Sequence, residues 1–110
     1  MQPEKSREEV KMSKLRVDFQ EGFAADEVDI KVNGRDSLHK EGVTTRRMIG
    51  LATSSEVEVP DGSFKVEIEV PTKNLSKTIL LNSPDSAHLG VSIQGGELKL
   101  IVSRKPFGYA

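Results

Sequence analysis

Residues 88–103 read HLGVSIQGGELKLIVS, and this stretch decides the fold. Leu89, Val91 and Ile93 alternate with Gly90, Ser92 and Gln94, while Leu98, Leu100 and Val102 alternate with Lys99 and Ser103. Strict alternation marks strands with one buried face. Between them, Gly95-Gly96 suits a two-residue hairpin, whose central positions need φ > 0. Closing the turn at Gln94 and Glu97 sets Ile93 opposite Leu98, Val91 opposite Leu100 and Leu89 opposite Val102. Every inward residue then meets an inward residue, as register requires.

The same period recurs upstream. Leu15, Val17 and Phe19 alternate with Arg16, Asp18 and Gln20; Val28, Ile30 and Val32 with Asp29, Lys31 and Asn33; Phe64, Val66, Ile68 and Val70 with Lys65, Glu67 and Glu69. The less regular runs Thr44 to Ala52 and Lys77 to Asn82 are expected to add strands buried on both faces or near a bend. No window carries a helical stripe. Pro60-Asp61-Gly62-Ser63 predicts a second hairpin, with Val59 opposite Phe64 and Val57 opposite Val66. At Asn33-Gly34, strict two-residue closure would put Ser37 opposite Ile30 and turn Leu38 outward, so a bulge or a short, weakly paired edge strand is expected.

About seven to nine short strands with regularly spaced turns predict an all-β fold, an antiparallel β-sandwich. An immunoglobulin-like arrangement is favoured over a small barrel, although the Cys…Trp…Cys hallmark is missing. The 110 residues suffice for one domain. Residues 1–14 are rich in charge and poor in apolar side chains, which predicts a disordered leader. Residues 15–104 form the sandwich, and 105–110 an aromatic tail.

Composition excludes several classes of function. Without cysteine there are no disulfides, thiolate metal sites or cysteine nucleophiles. Sixteen Lys+Arg against seventeen Asp+Glu create no global field for nucleic acid or anionic membrane. No apolar run has the length of a membrane span, and none marks an export signal, so the expected setting is cytoplasmic. Two histidines without clustered ligands provide no zinc site, and no phosphate loop occurs, so no cofactor is expected.

Candidate residues fall into four groups. Asp85, His88 and nearby serines contain the elements of a nucleophile, base and orienter, yet also fit ordinary turn chemistry. The Pro60–Ser63 hairpin would set Glu56 directly opposite Glu67 with Glu69 beside them, an acidic patch that a cation or basic partner would relieve. Arg46 and Arg47, with Arg35 and Lys40 nearby, form a basic segment that no aromatic interleaves, which argues against nucleic acid. Phe107 and Tyr109 follow Pro106 within three residues; two aromatics at a chain end need cover, from their own domain or from a partner.

The expectation is a non-enzymatic binding module that acts through protein–protein contact, by an exposed strand edge or by the aromatic tail. A homodimer is compatible with this, since paired sandwiches are readily self-complementary. The alternatives are a small hydrolase built on His88 and Asp85 and a weakly cation- or ligand-binding sandwich.

Overall fold

The computed structural model describes residues 12–83 and 85–109. The disordered leader expected over residues 1–14 lies outside the described residues up to position 11; the remaining three already belong to a strand. Eight strands follow in chain order: β1 (Met12–Phe19), β2 (Asp26–Val32), β3 (Arg35–Val43), β4 (Thr53–Pro60), β5 (Gly62–Val70), β6 (Leu75–Ser83), β7 (His88–Gln94) and β8 (Glu97–Ser103). A single 3-10 turn, Pro71–Lys73, links β5 to β6.

Two four-stranded sheets result, ordered β4-β1-β7-β8 and β3-β2-β5-β6. Their apolar faces meet, and the expected β-sandwich is present. Leu15, Val17, Phe19, Val57, Val59, Leu89, Val91 and Leu98 come from the first sheet, and Val28, Ile30, Val32, Phe64, Val66, Ile68 and Val70 from the second. Burying side chains of this size stabilises by roughly 1.5–3 kcal/mol each. Phe23, just beyond β1, closes one end edge-on against Phe19, with centroids 5.6 Å apart. No helix among the described residues is long and apolar enough to cross a membrane.

The β7–β8 hairpin has the register that its alternation demands, from Gln94↔Glu97 to Leu89↔Val102. Both turn glycines have positive φ, at 59° and 77°. At Asn33-Gly34 the turn is of the same kind, and a register shift between Ile30 and Lys31 returns Leu38 to the inner face opposite Ile30. This is the expected bulge.

Three expectations are corrected. β4 and β5 do not form a hairpin: β4 pairs with β1 in one sheet, and β5 with β2 and β6 in the other. Only Asp61 separates them, so the chain crosses from sheet to sheet there. Alternating apolar residues face inward equally well beside each other or across a core, so the pattern could not choose. The Thr44–Ala52 run is a loop rather than a strand, apart from one isolated bridge between Arg46 and Leu51. Thr45 anchors it, with its backbone N–H donating to the Phe23 carbonyl and its hydroxyl to the Gln20 carbonyl at 2.6 Å. Finally, the sheets are not purely antiparallel, because β1 runs parallel to β7. Constant-type immunoglobulin domains place their first strand beside the second; here β1 lies between β4 and β7.

Candidate interaction surfaces

Each sheet has two edges, and the sequence treats them differently. β3 carries two register shifts along its pairing with β2, which twist an edge away from further pairing. β4 exposes Glu56 and Glu58 and ends in Pro60, and both charge and proline blunt an edge. β8, at the other end of the first sheet, pairs with β7 over seven residues without interruption. It exposes Ile101 (54%) and Val102 (41%). β6 flanks the same side; its Leu80 is exposed on the outer face, and its Lys77 ammonium donates to the Leu98 carbonyl of β8 at 3.4 Å.

Which backbone groups β8 offers follows from its turn. In a two-residue hairpin the closing pair exchanges both hydrogen bonds, and the pairs then alternate. Glu97, Lys99, Ile101 and Ser103 therefore bond to β7, while the amides and carbonyls of Leu98, Leu100 and Val102 point off the edge. The Lys77 contact with the Leu98 carbonyl agrees with this phase.

The C-terminal tail turns back across the outer face of the first sheet. After β8, a local turn joins Ser103 and Lys105 through the Ser103 hydroxyl. Phe107 then meets the His88 ring edge-on at 6.5 Å. The Tyr109 hydroxyl donates to Asp18 Oδ2 at 2.7 Å and accepts from Gln20 Nε2 at 2.9 Å. Asp18 Oδ1 also accepts from Ser54 at 2.7 Å and from Arg16 Nε at 3.3 Å. Asp18 stands on the polar, outward side of β1, yet is only 3% exposed because the tail covers it. Burial, then the Asp18 carboxylate, pushes the Tyr109 phenol up to about 12.

Gly90 makes room for this arrangement. A Cβ there would lie 2.8–3.0 Å from the Gln20 side-chain amide, which instead lies over the bare glycine. Alternation alone assigns Asp18, Gln20, Gly90 and Ser92 to a solvated face, so their role was not apparent. The available signal was a glycine inside a regular strand, a common mark of close approach.

On the outer face of the second sheet, His39 sits among carboxylates. Its Nδ1 lies 2.6 Å from Asp29, directly across the β2–β3 pair, and its Nε2 lies 3.1 Å from Glu41 and 3.6 Å from Glu27. Hydrogen bonds to Asp29 and then Glu41 raise the imidazole to about 9. At neutral pH the ring is therefore a cation that bridges carboxylates. Glu27, His39 and Glu41 could direct one ligand atom each toward a metal, all within 4.8 Å of one another, but only after that proton leaves.

The predicted site residues are distributed as follows. Glu56 lies opposite Arg16 on the first sheet, while Glu67 and Glu69 lie on the second, opposite Lys31 and Asp29. The predicted patch is divided because its hairpin does not form. Glu69 is raised from its ordinary value chiefly by its hydrogen bond with Glu67, so the like-charge contact is between neighbours along one strand. Arg46 and Arg47 are exposed on the 44–52 loop, beside the fully presented Met48. Arg47 borders a depression of about 480 Å³ shared with Glu21, Phe23 and Thr45. Asp85 pairs with Arg104 at 3.6 Å rather than with His88, whose Nδ1 is buried with no hydrogen-bond partner among the described residues.

No family model, curated protein or solved structure matches the chain.

Proposed function

We propose that the protein is a non-enzymatic binding module that acts through protein–protein contact, accepting an extended partner segment by strand addition along the β8 edge. The observation behind this reading is the contrast between edges: β3 is bulged and β4 is charged and proline-terminated, whereas β8 is as regular as the remaining edge, β6, and exposes two adjacent apolar side chains, Ile101 and Val102. Main-chain hydrogen bonds to Leu98, Leu100 and Val102 would supply affinity, and Ile101, on the outer face, a side-chain contact. The pairing of Asp85 with Arg104 supports this reading over a hydrolase built on His88 and Asp85.

The test is Val102→Pro. Its amide points off the edge, so the ladder to β7 loses no hydrogen bond, yet an incoming strand loses a donor. Partners captured by the intact chain should cross-link at Lys99, and the substitution should reduce that cross-link at least tenfold with the fold unchanged by circular dichroism. Undiminished cross-linking at Lys99 would sink the proposal.

A further inference from the structure

We propose that the outer face of the first sheet is a receptor for a tyrosine-bearing C-terminal segment, and that a second copy of this chain supplies that segment in exchange for the resident one. The face meets both hydrogen-bonding functions of a phenol: Asp18 accepts its proton and Gln20 donates to its oxygen. The accepting carboxylate is held in place by Ser54 and Arg16 and is 3% exposed. The Gln20 side-chain oxygen Oε1 in turn accepts from the Ser92 hydroxyl at 3.4 Å. Beside this point the face is recessed at Gly90, and the His88 ring makes a perpendicular contact at 6.5 Å with a second aromatic two residues before the tyrosine. The site thus reads a Phe-x-Tyr pattern, and a phenylalanine in the tyrosine position would leave the buried carboxylate short of a donor.

The occupant is tethered loosely. Arg104, Lys105 and Pro106 are all exposed, and among the described residues they are held by the local hydrogen bonds between Ser103 and Lys105 and by the solvent-exposed Arg104–Asp85 ion pair, of a kind that contributes little. The segment can leave without unpairing a strand. Every copy carries one receptor and one tail, so reciprocal exchange gives a closed two-fold dimer. The resident tail competes at an effective concentration on the order of millimolar, so the intact chain remains monomeric at micromolar concentration and dimerises only far above it. The β8 edge plays no part in this contact.

The experiment uses the full-length chain with Phe107→Ala and Tyr109→Ala, isotopically labelled, titrated with the unlabelled peptide KPFGYA and followed by NMR. Saturable shifts are expected at Gln20 and at His88 to Ser92, and the peptide with phenylalanine for tyrosine should bind at least tenfold more weakly. The intact chain should respond only at much higher peptide concentration. Mixing the same labelled chain with unlabelled Asp18→Ala chain, which keeps its tail but lacks the receptor, should reproduce the shifts and give a heterodimer in sedimentation. The proposal is overturned by absent or unlocalised shifts at millimolar peptide, by equal binding of the phenylalanine peptide, or by a mixture that stays monomeric. Failure of the doubly substituted chain to fold also overturns it, because a tail the fold cannot spare is not a displaceable ligand. Val102→Pro should leave these results unchanged, which separates this proposal from the β8 reading.

Discussion

Replacing Tyr109 with phenylalanine removes one oxygen and two hydrogen bonds, at 2.7 Å to Asp18 and 2.9 Å to Gln20. A hydrogen bond to an ionised group contributes about 1.5–3 kcal/mol. The loss has a ceiling, however: once the tail costs more to hold than it returns, it undocks and the sandwich remains. Phe107 and Tyr109 are only half-buried, so their combined burial is worth roughly 2–3 kcal/mol. Ordering the backbone of several tail residues opposes this at about 1–2 kcal/mol each. Docking is therefore marginal, and the phenol decides it. Tyr109→Phe should cost about 1–2 kcal/mol, or roughly 5–15 °C in Tm. Urea denaturation followed by far-ultraviolet circular dichroism measures it, and a double-mutant cycle with Asp18→Asn isolates the pair. A cost under about 0.3 kcal/mol with no coupling to Asp18 would refute the reasoning, given the principle that neighbouring partners couple. The intact chain has one tyrosine and no tryptophan, so absorbance of the phenolate reports Tyr109 alone. Its ionisation should fall near 12 rather than 10. The folded state holds this proton more tightly, so the contribution to stability is full below pH 10 and lost as pH rises through 12.

His39 should titrate near pH 9 by NMR, and Asp29→Asn should return it toward 6.5; its contribution to stability is present below 6.5 and disappears as pH rises through 9. A midpoint near 6.5 in the intact chain would mean that the carboxylates do not hold the ring. Burial pushes the Asp26 carboxyl up, but hydrogen bonds from Lys73, Thr72 and the Ala24 amide outweigh it and hold it below the ordinary value. Asp26→Ala should cost about 1–3 kcal/mol in urea at neutral pH. That difference should shrink as pH falls through the lowered value, since the stabilisation belongs to the ionised form; a difference that persists in strong acid would contradict the assignment. Gly22 has φ +93°, and a Cβ there would lie 2.1 Å from the Ile93 carbonyl oxygen. Gly22→Ala should therefore cost about 3 kcal/mol or more by the same assay, and a loss below about 1 kcal/mol would show that this corner is not tightly packed.

The β7–β8 hairpin was legible pair by pair because its turn and both alternating strands are contiguous, and local chemistry suffices for a two-residue loop. The bulge after Asn33-Gly34 was legible for a related reason: only a shifted register keeps Leu38 inside. Arg35 to Val43 carried too weak a pattern to be read as a full strand, and it lies at an edge, where pairing on one side relaxes the demand on side chains. Inward alternation is identical for strands that pair and strands that stack, so the pattern of β4 and β5 cannot tell whether Glu56 lies beside Glu67 or on the other sheet.

The sequence by itself determined the all-β class, the inward residues and the turns with positive φ, since each depends on neighbours within a few positions. Tertiary structure alone decided which strands beyond the β2–β3 and β7–β8 hairpins share a sheet, that β1 lies parallel to β7, and that Asp18 is buried beneath a tyrosine some ninety positions away. Those choices depend on surfaces meeting across the molecule, where a period of two says which way a side chain faces and nothing about what it faces.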